Sequence, residues 1–356
     1  MHSGTRDAPF LPLLVTGIAG VAGYNAFRFF RERYGEQVIG TRRRDNWRLA
    51  GPGIVACDAD DRDELRRLFD RYEFRSVLNA EGSCKLKSCE LDPAMAHRVN
   101  VLSVRNLVEL LAGTDARLIH LSIDLVFSGT RYGGHVETDE TDPVTVYGAT
   151  MVQGEQCVRD HKPDACILRI SLPMGISFNG HAGAIDWIQS RFRQGKPATL
   201  YFDEVRSPTY TDCLNRLFAT LLTGETASGR LGSSDRMTTL LEGLFHAGGP
   251  RKLSLFQIAQ IVNRIGGYDP RLLMGCPRAA AGPIPPRAGD VTLCSDKLIG
   301  ALGYDPFDPW PLWDEHAPDH AEWHFERPRD EGGSAELLSR VLYRNPSVAD
   351  WNWQPC

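Results

Sequence analysis

Three glycines at every third position, Gly17, Gly20 and Gly23, follow the apolar run Leu13, Leu14 and Val15 and lead into a helical pattern that reaches Phe30. Bare backbone at such a turn lets N–H groups approach a ligand closely. The first turn of the following helix leaves N–H groups unpaired at the positive end of its dipole, so the natural ligand is a phosphate. The expected contacts are Gly17, Ala19, Gly20, Val21 and Gly23. The G-x-x-G-x-x-G spacing departs by one residue from the commoner G-x-G-x-x-G, and an ordinary tight turn is the bland alternative. The strand before it and the helix after it favour a dinucleotide pyrophosphate. A second chemical signal stands at Arg42, Arg43 and Arg44, directly after the apolar stretch Gln37 to Thr41. In a dinucleotide fold that position meets the adenosine ribose, where a carboxylate suits free hydroxyls and arginine suits a 2′-phosphate. NADP is therefore expected over NAD, against the alternative of a solvated basic loop.

The elements that must hold these residues alternate. Strands are expected at Gly53 to Cys57, Ser76 to Ala80 and Arg117 to Leu121, with helices at Arg62 to Tyr72 and Met95 to Leu111. In the first of these helices Leu65, Leu68 and Phe69 share one face. Alternation at this spacing predicts an α/β fold, a Rossmann-type doubly wound parallel sheet with ligands collecting at the carboxyl ends of its strands. Asp58 and Asn79 lie at such ends; Asp58 either binds adenine or caps the helix after it. No apolar run approaches the roughly 20 residues of a membrane helix, and the polar start lacks the centre of a signal peptide, so a cytoplasmic location without membrane contact is expected. Nine cysteines, an odd number without a C-x-x-C pair, argue for reduced packing residues. A net charge of -5 gives no footprint for nucleic acid, which leaves small molecules as partners.

The order and spacing of further residues resemble a known family. Thr16-Gly17-x-x-Gly20-x-x-Gly23, Asn79-Ala80, Asn100, Ser122-x-Asp124-x-Val126-Phe127-x-Gly129, Tyr147-Gly148 and Gly154-Glu155 are arranged as in the extended short-chain dehydrogenase/reductases. Leu168-Arg169, Arg206-Ser207-Pro208-Thr209-Tyr210, His246-Ala247-Gly248-Gly249, Pro286-Arg287, Asp290 and Lys297-Leu298 extend the match, which covers roughly residues 12 to 310. Within that family the chain resembles the dTDP-4-dehydrorhamnose reductase and methionine adenosyltransferase β-subunit branch. The resemblance implies an NADP-binding domain formed by residues 11–171 and about 213–249. It also implies a smaller C-terminal substrate-binding domain of about 172–212 and 250–310. Asn79, Ala80, Asn100 and Tyr147 would join the cofactor contacts, and the substrate would be a nucleotide-linked 4-keto sugar.

The family's chemistry, carried over position by position, is incomplete. A tyrosine gives the proton, a Ser/Thr hydroxyl polarises the carbonyl, and a lysine four residues after the tyrosine holds the nicotinamide ribose and favours tyrosinate. Tyr147 is present, but the lysine position is Met151 and the hydroxyl position is Ile123. Neither replacement carries charge or donates a hydrogen bond. Ser122 is a neighbouring substitute for the hydroxyl, although strand alternation points it to the other face. Lys85 and Lys87 are substitutes for the ammonium, against the alternative of solvated loop lysines. Arg206 and Arg287 are expected to clamp a diphosphate, against the alternative of surface ion pairs. An enzyme with a tyrosine-only site and a non-catalytic regulatory subunit both fit.

Residues 311–356 form a tryptophan-rich extension, and the stretch from Trp310 to Trp353 holds five of the seven tryptophans. Such aromatic density suggests docking on the chain's own body or on a second copy in a homo-oligomer. His316, His320 and His324 recur every fourth residue, but Pro318 interrupts the register and no fourth ligand is indicated, so no metal site is expected.

Overall fold

The computed structural model describes residues 10–83, 85–180, 182–226, 229–230, 240–311 and 333–344. Its centre is a sheet of β1 (Leu13–Val15), β2 (Val38–Arg42), β3 (Ile54–Ala56), β4 (Ser76–Asn79), β5 (Arg117–Ile123), β6 (Cys166–Ile170) and β7 (Gly243–Ala247). All seven run parallel in the order β7-β6-β5-β4-β1-β2-β3. The order reverses at β1 and β4, and the crevice outside such a switch point is where this architecture takes ligands.

Alternation along the strands explains the two apolar layers. Leu13 and Val15 face Phe27, Phe30, Leu217 and Phe218, whereas Leu14, Ile39 and Val77 face Leu65, Leu68, Val104 and Leu107. Full burial of each such side chain contributes about 1.5–3 kcal/mol, which makes the register of the short strands costly to shift. The flanking helices are α1 (Val21–Tyr34), α2 (Arg62–Tyr72), α3 (Leu86–Leu91), α4 (Pro93–His97), α5 (Ser103–Leu111) and α6 (Val146–His161). Asp61 caps α2, accepting from the N–H groups of Asp63 and Glu64. The helix expected over Met95 to Leu111 is divided: Pro93 starts α4 behind its Asp92 cap, and a π-turn at Arg98–Leu102 separates it from α5. Proline at the first position and the carboxylate before it set that start, and Asn100 stands in the wider turn.

Beyond β6 the chain builds two-stranded pairs, Pro173–Met174 with Thr209–Tyr210 and Ala198–Tyr201 with Leu273–Cys276. They are joined by α7 (Ala184–Arg193), α8 (Thr211–Thr223) and α9 (Leu255–Ile265). The described part of the extension docks on this body. Trp310 is buried beside Tyr210, and the Ser334 N–H donates to the Ile265 carbonyl at 2.9 Å. The Tyr343 hydroxyl donates to Asp186 and accepts from Gln189 Nε2 at 2.6 Å, while Arg344 pairs with Asp308 at 2.8 Å over the Tyr210 ring. Trp313, Trp323, Trp351, Trp353 and the three spaced histidines lie outside the described residues. Among the described residues no helix is long and apolar enough to cross a membrane.

Candidate active site

The glycine turn leaves β1 at the switch point. The Thr16 hydroxyl donates to Asn79 Oδ1 at 2.6 Å and accepts from the Ala80 N–H at 3.1 Å, which locks the carboxyl ends of β1 and β4 together. On the far side of Asn79, burial pushes His120 down to about 4, so its neutral Nδ1 accepts from Asn79 Nδ2 at 2.9 Å. Gly17 has φ of +63°, and a Cβ there would sit 2.2 Å from the Ala80 carbonyl oxygen. It is glycine because two backbone segments touch. Gly20 differs, since a Cβ there would meet its nearest protein atom at an ordinary 3.5 Å. The fold itself does not require its bareness. Gly20 is also the N-cap of α1, no side chain caps that helix, and its first turn has no carboxylate. The uncapped N–H groups and the open glycine fit a pyrophosphate in this turn, beside Ala19 and Val21.

At the adenosine end, charges crowd together. Arg43 pairs with Asp60 at 2.7 Å and with Asp58 at 3.8 Å, and Arg44 pairs with Glu64 at 2.5 Å. Arg42 turns away onto loop carbonyls, donating to Leu49 O at 2.5 Å and Arg43 O at 3.0 Å. Of the expected pair, Arg43 faces this corner and Arg42 braces the loop. Asp58 accepts from the Arg44 N–H at 3.0 Å, and α2 is capped by Asp61 instead. Glu81 was not among the expected residues. It is 6% exposed, and burial pushes it up to about 7, with the Arg43 charge opposing that rise. Its place directly after Asn79-Ala80, at a strand end, is the signal by which it could have been found.

The reaction end is apolar. Tyr147 lies in the first turn of α6 behind the Thr145 cap, and Gly148 lets that turn press on the Leu125 carbonyl. Tyr147 and Met151 are buried in one cluster with Cys89, Ala96, Leu125 and Val126, and Ile123 packs against it. Asn100 ties the parts together: its Nδ2 donates to Thr150 Oγ1 at 2.9 Å and its Oδ1 accepts from the Ser83 N–H at 2.7 Å. Ser122 does not replace the missing hydroxyl. It points to the opposite face, donating to Glu155 Oε1 at 2.5 Å beside Arg169, as pleat alternation requires. Lys85 is exposed at the head of α3.

The two arginines expected on a diphosphate are held by carboxylates. Arg206 is buried and grips Asp124 with Nε at 2.6 Å and Nη2 at 2.5 Å, while Arg287 grips Glu204 at 2.7 Å. Burial pushes Asp124 and Glu204 up, and the arginines oppose it. Arg206 also lies close enough to Tyr147 for their charges to interact. The group joins the end of β5 to the chain beyond β6, and its arginines hold the two together.

A switch-point glycine turn, an uncapped helix and a helix-borne tyrosine near the end of β5 together define a dinucleotide-binding fold of the extended dehydrogenase/reductase kind. Residues 11–308 match the model of the RmlD substrate binding domain, and the chain belongs to that family. It is 30% identical over 263 residues to dTDP-4-dehydrorhamnose reductase of Mycolicibacterium smegmatis, covering 71% of this chain and 72% of the relative. It is 27% identical to dTDP-4-keto-6-deoxy-D-glucose reductase of Streptomyces niveus, covering 83% of this chain and 93% of the relative. Methionine adenosyltransferase 2 subunit beta of Danio rerio is 24% identical, covering 61% and 66%. Among solved structures, dTDP-4-dehydrorhamnose reductase from Bacillus anthracis in complex with NADP has the same fold. Its TM-score is 0.68 at 17% identity, with 94% of this chain and 99% of that one covered.

Proposed function

We propose that this chain is a cytoplasmic, NADP-binding reductase of a nucleotide-linked 4-keto sugar whose proton donor is Tyr147. The bare, uncapped turn at Gly20 carries this reading, because among the described residues no packing contact accounts for it. In it, residues 11–171 with about 213–249 hold the cofactor, and about 172–212 with 250–310 hold the sugar nucleotide. When bound, NADPH supplies the hydride. Tyr147 donates a proton to the carbonyl oxygen as negative charge develops there, a task for which a neutral phenol suffices. Ile123 and Met151 exclude water, which strengthens that hydrogen bond, but they leave no second donor. Arg206 is a nearby cation whose charge is balanced by Asp124. Reduction is therefore favoured over oxidation, which needs a base.

A second reading, a non-catalytic cofactor- or sugar-nucleotide-binding regulatory subunit, is favoured by one observation. Both replaced positions lie in or against an apolar cluster, and Ser122 is turned away. Absorbance of NADPH followed against a panel of 4-keto nucleotide sugars, with cofactor binding measured in parallel, separates the two. Turnover is the expected result. A flat trace with demonstrated binding transfers the assignment to the regulatory reading.

A further inference from the structure

The chain that follows β6 packs against the start of α1. Asn25, in the second turn of that helix, donates from its amide nitrogen to the Val21 carbonyl and to the Ile176 carbonyl, both at 2.8 Å. Phe178 meets the Tyr24 ring edge-on, and a Cβ on Gly183 would lie 3.2 Å from a Val21 methyl group. One flank of the first turn of α1, whose uncapped N–H groups suit a phosphate, is thus lined by Ile176, Phe178 and Gly183. A buried carboxylate holds this loop in place. Asp186, in the first turn of α7, accepts from the Ser177 N–H at 3.0 Å and from the Ser177 hydroxyl. Its other oxygen accepts from the Tyr343 hydroxyl. Tyr343 accepts in turn from Gln189 Nε2 at 2.6 Å, and Gln189 Oε1 accepts from Tyr268 at 2.9 Å and from Arg193 at 2.7 Å.

Tyr343 belongs to a strap, residues 333–344, that is anchored at both ends. The Ser334 N–H donates to the Ile265 carbonyl at 2.9 Å, and Arg344 pairs with Asp308 at 2.8 Å and with Asp212 at 3.3 Å. Leu338 and Leu342 are buried between these anchors. The matched family model ends at residue 308, so the strap lies outside it. We propose that Tyr343 is a positioning residue for the cofactor: through Asp186 and Ser177 it fixes the loop after β6 against α1, and with it the opening in front of the phosphate turn. The inference rests on the dinucleotide reading above and deepens it. A loop that must be ordered on binding lowers affinity by its lost conformational freedom, whereas one held beforehand by buried hydrogen bonds does not. Hydrogen bonds to a buried carboxylate are of the stronger kind. By linkage, a strap that favours cofactor binding is itself held more firmly when the cofactor is bound.

The test is calorimetric titration of the full chain with NADPH for the wild type, Tyr343→Phe, Asn25→Ala and the double variant, with backbone hydrogen exchange of each protein with and without NADPH. Tyr343→Phe should weaken NADPH binding about tenfold. Asn25→Ala should cost less affinity in that background than it costs alone, because both changes release the same loop. The two side chains bond to different residues, so a phenol that only stabilises the fold gives additive losses. In the wild type NADPH should slow exchange at the Ser334 and Leu338 amides of the strap, and Tyr343→Phe should abolish that slowing. Ser177→Ala, which leaves the strap whole, should reproduce the loss of affinity and carries the test if Tyr343→Phe does not fold. If the folded variant binds NADPH within about twofold of the wild type, or if its loss simply adds to that of Asn25→Ala, Tyr343 does not position the site. If the wild type does not bind NADPH at all, the dinucleotide reading fails and this inference fails with it.

Discussion

The two ends of the crevice handle charge in opposite ways. At the adenosine end Arg43, Arg44, Asp58, Asp60, Glu64 and Glu81 stand within one network around the ends of β2, β3 and β4. At the reaction end Tyr147 sits among Met151, Leu125 and Val126, with Ile123 against them. Yet the backbone frame is intact at both: Thr16 locks β1 to β4, and Asn100 locks α6 to the loop after β4. The difference teaches that a frame suited to binding, made of backbone N–H groups and helix ends, can be kept where the side chains around Tyr147 are apolar. A site of this kind depends more on how it is positioned than on how many catalytic groups it holds.

The largest expected effect breaks the reaction end alone. Tyr147→Phe should lower keto-sugar-dependent oxidation of NADPH by about a hundredfold or more while leaving the calorimetric affinity for NADPH unchanged. If turnover survives, the proton comes from elsewhere and the contrast between the two ends dissolves. The same end can be sharpened by restoring what it lacks. Ile123→Thr with Met151→Lys should raise turnover by more than the product of the two single changes, because hydroxyl and ammonium act on one reaction centre. Equal or additive rates would mean that these positions no longer face the carbonyl.

Near Tyr147 lies the buried pair Asp124 and Arg206, and its loss should show in stability before catalysis. Arg206→Met strands a buried carboxylate and should cost roughly 3–5 kcal/mol in chemical denaturation, whereas Asp124→Leu with Arg206→Met together should cost much less. A single variant as stable as the wild type would show that the pair does not hold the two parts of the chain.

Much of this frame was legible in the sequence. Leu13 to Val15, the glycines and Arg62 to Tyr72 speak through local period and turn chemistry, and the structure places strand, turn and helix there. The roles of Arg206 and Arg287 were not legible. Their partners Asp124 and Glu204 are 82 and 83 residues away from them in one direction, and no local pattern records that pairing. Arg42 and Arg43 looked alike as neighbours, but the loop bends the former onto Leu49 and leaves the latter at the crevice. Glu81 stands directly after the expected cofactor contacts Asn79 and Ala80, but its burial against the turn after β1 is a tertiary fact that no local pattern records.

Titration of Glu81 should be visible even without a ligand. Burial raises its pKa from the ordinary 4.5 to about 7, so the folded chain keeps a proton that the unfolded chain has already released. Its contribution to stability is present below about 4.5 and is lost as pH rises through about 7, a difference of about 3 kcal/mol. Glu81→Gln should therefore match the wild type in thermal unfolding near pH 4 and exceed it near pH 8. Parallel curves at all pH values would mean that the carboxylate is solvated in the folded protein.

The smallest expected effect separates two adjacent arginines and so tests the charged end at its finest grain. Arg43 faces the crevice through a side chain that is 26% exposed, whereas Arg42 spends its donors on the carbonyls of Leu49 and Arg43. Arg43→Ala should lower the preference for NADPH over NADH by about tenfold, equivalent to about 1.4 kcal/mol of phosphate pairing. Arg42→Ala should weaken both cofactors alike, because it loosens the loop without removing a phosphate partner. The measurement is the ratio of the two affinities by calorimetric titration. A ratio that follows Arg42 and ignores Arg43 would place the 2′-phosphate on the other side of the loop.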